Sequence, residues 1–274
     1  MSIFRASIIL VTMLLSVAAM PAVETVGSRY RLRIMPSVWA AQPRGRVGWI
    51  DGDSSSLARE QMETLKNMDL DDVAYAPALE IGISLPFLFD IHAGVFLYGA
   101  DSNFTVSNSN PLRWADFSFA ESEDERVKAE VEFMSVYAEA AARLIDFPVG
   151  AVSVGLALHG MVSDVTLDGE SGNRGNLKEF AFVPALSARA FINPPLLWQW
   201  TLEAKLQWMQ IDIFDVKANM LDASAQVTWR PIDNLGIMAG YRIVDYDLDH
   251  KLSGSRAQVD ITLSGPYLGA VIQF

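Results

Sequence analysis

The stretch that decides the fold is Trp198-Gln199-Trp200-Thr201-Leu202-Glu203-Ala204-Lys205-Leu206-Gln207-Trp208. In an extended chain successive side chains point to opposite faces. Trp198, Trp200, Leu202, Ala204, Leu206 and Trp208 therefore share one side, and Gln199, Thr201, Glu203, Lys205 and Gln207 the other. One face is greasy and the other ionic. The polar face of a water-soluble sandwich would alternate in the same way. Here, however, tryptophans stand near both ends of the apolar stripe, as rings do that sit at the two boundaries of a lipid layer.

The same alternation recurs along the chain. Tyr30, Leu32, Ile34 and Val38 oppose Arg29, Arg31, Arg33 and Ser37, and Leu79, Ile81, Ile83 and Leu85 oppose Glu80, Gly82 and Ser84. Ile91, Ala93, Val95 and Leu97 leave His92, Gly94 and Phe96 on the other side, and Val152 to Leu158 leave Ser153, Gly155, Ala157 and His159. Phe180, Phe182, Leu186 and Ala188 oppose Ser187 and Arg189. Ala223 to Trp229 oppose Asp222, Ser224, Gln226, Thr228 and Arg230, and Ile237 to Ile243 oppose Gly240 and Arg242. Taking the apolar face as outward everywhere, Val127, Ala129, Val131 and Phe133 are expected outside, with Lys128, Glu130 and Glu132 inside. In the last strand Val259, Ile261 and Leu263 are expected outside and Asp260 inside, with a β-bulge at Gly265-Pro266 restoring an outward Leu268, Ala270, Ile272 and Phe274. Around Met134-Ser135-Val136 the phase blurs, and strict alternation would turn Glu139 outward.

Short and long connections alternate. Tight links fall at Leu85-Pro86-Phe87, Asp146 to Gly150, Asn193-Pro194-Pro195 and Pro231 to Asn234. Longer polar ones fall near 42–74, 101–125, 165–178, 212–220 and 245–257. The pattern predicts an all-β, antiparallel transmembrane β-barrel of ten strands in one domain over 23–274, with both termini on the side of the short turns. A Ser54–Ser56 cap predicts a short loop helix through about Met68, presenting Leu57, Gln61, Leu65 and Met68.

Export is legible at the start. Arg5 precedes an apolar run from Ala6 to Val17 and small residues at Ala18, Ala19 and Ala22, the organisation of a secretory signal peptide over 1–22, with cleavage between 18 and 22. Cysteine is absent from the sequence, which removes lipoprotein and disulfide-scaffold readings. After the signal no apolar run approaches the roughly 18 to 20 residues of a membrane helix. Yet 51% of the chain is hydrophobic, an excess that alternating strands can turn toward lipid. The net charge of −12 argues against nucleic acid as a partner. Much of the acid falls in predicted loops, at Asp69, Asp71 and Asp72, at Glu121 to Glu125, and at Asp245, Asp247 and Asp249.

The ending Gly265 to Phe274 resembles the terminal strand of bacterial outer-membrane β-barrel proteins, which close on an aromatic residue preceded by alternating apolar positions. Phe274, Ile272, Ala270 and Leu268 match that pattern. The resemblance implies an outer-membrane location among lipid and lipopolysaccharide, and assembly by the barrel-assembly machinery. It implies no activity. Omptin proteases carry an Asp-x-His pair on one strand face, whereas Asp249 and His250 are adjacent. Lipid A deacylases carry His-x-Ser near the C-terminus, and none of His92, His159 and His250 begins such a triplet.

Inside the barrel the expected charges are Arg29, Arg31, Arg33, Glu80, Lys128, Glu130, Glu132, Arg189, Glu203, Lys205, Asp222, Arg230, Arg242 and Asp260. Charges in so narrow a space must be paired or wet. A lumenal network of Arg31, Arg33, Glu80, Arg189, Glu203, Lys205, Asp222, Arg230 and Arg242 is predicted, with Glu80 beside Arg31 and Arg33, and Glu203 and Lys205 near Asp222 and Arg230. His92 and His159 are expected inside at opposite ends. Three histidines with no short-spaced acidic partner on one strand face give no metal site, and no phosphate loop or nucleophile elbow is present, so neither cofactor nor enzymatic activity is expected. The sequence points to a structural or interaction role, with a narrow pore for ions or small solutes as the alternative and a barrel enzyme third.

Overall fold

The computed structural model describes residues 32–51, 63–85, 88–107, 112–114, 117–119, 123–147, 149–194, 197, 199–213, 216–252 and 255–274. The predicted signal peptide, Arg29, Arg31, Trp198 and the first part of the predicted loop helix lie outside the described residues.

The strands are β1 (Leu32–Asp51), β2 (Glu63–Thr64), β3 (Ala74–Leu85), β4 (Phe89–Val106), β5 (Leu112–Trp114), β6 (Phe117–Phe119), β7 (Glu125–Phe147), β8 (Gly150–Gly169), β9 (Arg174–Ile192), β10 (Trp200–Ile213), β11 (Val216–Ile232), β12 (Leu235–Leu252) and β13 (Ser255–Gln273). Eleven form one antiparallel sheet in the order β13-β12-β11-β10-β9-β8-β7-β4-β3-β1-β2, and β13 also pairs with β1, from Arg33↔Gln273 to Asp51↔Ser255. The sheet thus closes on itself. The count exceeds the predicted ten because the two-residue β2 adds onto the far end of β1, while β5 and β6 form a separate hairpin.

The described residues contain no α-helix; where the predicted one would end, β2 leads into a single turn. Leu70 N donates to Leu65 O at 2.8 Å across that turn, and Asp69 takes a left-handed φ of 55°, which an aspartate tolerates better than most residues. Leu65, Met68 and Leu70 are buried.

β7 has 23 residues and β8 and β1 have 20 each, about twice the 9–11 that a tilted strand needs to cross a lipid layer. The face each strand shows outward changes along this length. On β8, Val152, Val154, Leu156, Leu158 and Val162 point out, followed on the same face by Asp164, Thr166 and Asp168; Val165 and Leu167 point in and are buried. On β9 the outward Leu186 and Phe182, 58% and 67% exposed, give way to Lys178, Asn176 and Arg174. From Val152 to Val162 the apolar stripe runs about 33 Å along the strand, or about 25 Å along the axis of a barrel with ordinary tilt. That is the height of an outer-membrane apolar band. Beyond it the solvent is water and the pattern inverts, polar outside and apolar inside.

This inversion corrects several expectations. Val127, Ala129, Val131 and Phe133 are buried inside, whereas Lys128 and Glu130 stand outside with side chains about half exposed, and Glu132 is exposed beside them. Val259, Ile261 and Leu263 face in and Asp260 shares the outward face of Leu268. No bulge occurs at Gly265-Pro266: β12 and β13 pair in one register from Leu235↔Ile272 to Leu252↔Ser255. On β7 the register slips at Arg143/Ile145 and not near Met134, and Glu139 faces in without any bulge. The long loops expected at 165–178, 212–220 and 245–257 are mostly strand. Asp245, Asp247 and Asp249 accordingly lie on β12.

Candidate functional site

The lumen has two storeys. On the side of the short turns it is polar. Arg33 on β1 reaches across to Glu203 on β10, whose second oxygen accepts from Gln226 Nε2 at 2.7 Å, while Tyr267 donates to Gln226 Oε1 at 2.8 Å. Arg189 on β9 binds Glu80 at 2.7 Å and Glu139 at 2.9 Å, and Gln207 donates to Glu139 at 2.7 Å. Asp222 on β11 is fully buried and holds Lys205 at 2.9 Å and Arg242 at 2.7 and 3.0 Å. Near the β3–β4 turn, Arg143 binds Asp90 at 2.5 and 2.8 Å and Ser84 donates to Asp90 at 2.8 Å. These contacts set Arg33, Arg143, Arg189, Lys205 and Arg242 against Glu80, Asp90, Glu139, Glu203 and Asp222, so the paired charges cancel. A carboxylate or guanidinium left alone in such a space would cost several kcal/mol, on the order of the penalty for burying an unpaired ion.

Two tyrosines lie flat against the wall because the neighbouring strand offers glycine. A Cβ on Gly94 would come within 2.4 Å of the Tyr137 ring, and one on Gly240 within 2.5 Å of Tyr267. Between these rings and the ion pairs is a cavity of about 90 Å³, lined by Glu80, His92, Arg189, Lys205, Met35 and Met238 among others.

Above it the lumen is roofed by aromatic rings. Trp39 meets Phe96 edge-on at 5.5 Å, Phe96 lies 5.7 Å from Phe133, and Phe133 lies 5.2 Å from Tyr246. The chain of rings runs from β1 through β4 and β7 to β12, from one wall to another. The Arg242 guanidinium sits 4.6 Å from Phe96 and 5.3 Å from Trp39, its positive charge facing the ring electrons at the join of the two storeys. Beyond the rings, Val47, Leu65, Met68, Leu70, Val131, Leu167, Ile261 and Leu263 form one continuous apolar core. Leu112 and Phe119 of the β5–β6 hairpin join it, and Ser102 donates to Met68 O. Tyr98 and Tyr246 are buried in this core.

Of the residues predicted from sequence, the structure brings Arg33, Glu80, Arg189, Glu203, Lys205, Asp222 and Arg242 into the lumen, with two partnerships different from those expected. Glu80 pairs across the lumen with Arg189 and not with Arg33, and Glu203 pairs with Arg33. Arg230 lies at the lower mouth and donates to Thr201 at 3.1 Å. Arg31 lies outside the described residues. His92 and His159 are not at opposite ends. His92 pairs in register with Glu139, and His159, stacked on Tyr137 at 5.3 Å, pairs with that tyrosine two residues away. The network also includes Glu139, Tyr137, Gln207 and the Asp90–Arg143 pair, which the predicted one leaves out; for Tyr137 and Glu139 the reason is that strict alternation from Val127 to Phe133 turns their face outward. No group of three or more metal-ligating side chains occurs among the described residues.

Compared with solved structures, the chain superposes on the outer-membrane protease OmpT from Escherichia coli over 92% of its own length and 99% of that chain, with a TM-score of 0.52 and 10% identity. The chain has the fold of an outer-membrane β-barrel. At that identity the likeness is one of fold, and the barrel's chemistry must be read from its own residues. Other matches are also bacterial outer-membrane barrels. Ail of Yersinia pestis, solved with sucrose octasulfate, is 13% identical over 89% of this chain and 99% of its own, with a TM-score of 0.36. The Neisserial surface protein NspA is 12% identical over 91% and 100%, with a TM-score of 0.33. No family model and no curated protein matches the chain.

Proposed function

We propose that this protein is an integral outer-membrane barrel that crosses the membrane with ten strands and keeps its lumen closed, serving a structural or interaction role through its outer half. It is not an enzyme in this reading. It is exported by the signal peptide over 1–22, surrounded by lipid and lipopolysaccharide, and folded by the assembly machinery through Phe274, Ile272, Ala270 and Leu268. The single observation that carries the reading is the aromatic layer of Trp39, Phe96, Phe133 and Tyr246, with the apolar core above it. A conducting path must stay wet from end to end, and a dry, close-packed half offers none.

A narrow pore is the second reading, and the cavity of about 90 Å³ is the observation in its favour. Planar-bilayer conductance decides between them, using refolded protein whose gel mobility shifts on boiling as a folded barrel's does. Silence is the expected result. Discrete conductance steps from heat-modifiable protein would replace the closed barrel by the pore.

A further inference from the structure

We propose that the polar cavity is a hydrated vestibule entered from the periplasm alone, with the Arg33–Glu203 ion pair as its gate. The inference rests on the closed-lumen reading and adds a side and a door to it.

Below the cavity of about 90 Å³ lies a smaller one of about 20 Å³ at the lower mouth, walled by Asn193, Thr201, Arg230 and Gln273, near the ends of β9, β10, β11 and β13. Arg33, Phe191 and Glu203 line both spaces. The ion pair therefore stands in the partition between them. Its members come from β1 and β10, which β13, β12 and β11 separate around the ring, so the contact spans the lumen like a bar. Gln226, itself held by Tyr267, steadies Glu203 in that position.

The cavity is suited to water. Its volume of about 90 Å³ is several times the roughly 10–15 Å³ that one water requires, and is below the roughly 300–1,000 Å³ of small-molecule pockets. His92 faces it with only 6% of its surface exposed, and its Nδ1 has no hydrogen-bond partner among the described residues, with Glu80 Oε1 3.8 Å away. At the lower mouth the buried Thr228 hydroxyl is likewise unpartnered among the described residues. Buried polar atoms in a polar space of this size call for ordered water. The way up ends at the Trp39 and Phe96 rings above Arg242, and the way down leads past the bar.

The absence of native cysteine allows a direct test. Ser37 lines the cavity, and Ser37→Cys is reacted with methyl methanethiosulfonate in refolded, heat-modifiable protein. Adding Glu203→Ala is expected to raise the labelling rate about tenfold by making the local opening easier. Adding Leu65→Ala, which loosens the core above the roof, is expected to leave the rate unchanged. Acceleration by Leu65→Ala alone would place the entrance outside, and no acceleration by Glu203→Ala would remove the gate; either overturns the proposal. Should Glu203→Ala not fold, Glu203→Gln keeps the side-chain length without the charge and is held to the same criterion. Conductance is recorded in parallel. Steps in the Glu203→Ala protein would mean that the roof is open and the closed-lumen reading has failed, whereas silence with unchanged labelling would sink the gate alone.

Discussion

Leu186 is the position at which a membrane location for the apolar stripe can be tested with a number. On β9 the outward stripe runs Phe180, Phe182, Pro184, Leu186, Ala188, Ala190, Ile192, so Leu186 is at its middle, with its side chain on the outer wall and 58% exposed. If lipid covers that wall, Leu186→Arg places a guanidinium at the bilayer midplane at a cost of about 2–4 kcal/mol. At one decade per 1.4 kcal/mol this lowers the folding equilibrium by about 30- to 700-fold. If water covered it, exchanging one exposed side chain for another would fall within about 0.5 kcal/mol. Lys178, on the same face but beyond the stripe, is the internal control, and Lys178→Leu should stay within that smaller bound. The assay is equilibrium unfolding and refolding in denaturant with lipid vesicles, extrapolated linearly, with coincident folding and unfolding branches required. A Leu186→Arg cost no larger than that of the Lys178 control would refute the reasoning.

Three further outcomes are expected. In the outer half, Phe133→Ala should destabilise by about 3–5 kcal/mol as a core truncation, while its neighbour Glu132→Ala should change stability by less than about 0.5 kcal/mol; the same unfolding assay reads both, and the reverse order would mean that the inward face has been misassigned. Glu139→Ala leaves Arg189 with Glu80 as its remaining carboxylate and is expected to cost about 3–5 kcal/mol as a broken buried pair, whereas Glu139→Ala combined with Arg189→Met should cost less than the two single changes summed, as a double-mutant cycle would show. Phe274→Ala should lower the amount of heat-modifiable barrel in outer-membrane fractions while leaving refolding in detergent intact, and equal amounts in the membrane would remove Phe274 from the assembly signal.

The β10 stripe, the lumenal Arg33, Arg189, Glu203, Lys205, Asp222 and Arg242, and the tight turns could all be read from sequence because they lie in the membrane half, where one rule assigns faces: apolar side chains to lipid, charged ones inward. That rule failed on β7 and β13. Period two shows that a strand has two faces but not which of them is inside. Val127 to Phe133 alternate with Lys128, Glu130 and Glu132 as cleanly as Leu202 to Leu206 alternate with Glu203 and Lys205, but beyond the membrane water takes the place of lipid and the apolar face turns inward. The same error changed Asp245, Asp247 and Asp249 from a strand's water face into a loop, and required a bulge at Gly265-Pro266 that the continuous register does not contain. Length was the available signal. The strand from Glu125 to Phe147 is about twice as long as a membrane can use, so part of it had to lie in water. The cross-lumen partners Arg33–Glu203 and Arg189–Glu80 were not legible, because strand order sets neighbours around the wall and not reach across it.

The inversion of faces is the central claim, and a depth-resolved accessibility measurement tests it most directly. Single cysteines carrying nitroxide labels at Leu156, Leu206 and Leu268, and at Lys128, Thr166, Asp247 and Asp260, are compared for collision with oxygen, which concentrates in lipid, and with a nickel chelate, which stays in water. The account predicts oxygen access without chelate access at the first three positions and chelate access at all four of the second group. Oxygen-dominated labels at Thr166 and Asp247, or labels at Lys128 and Asp260 shielded from both reagents, would contradict it.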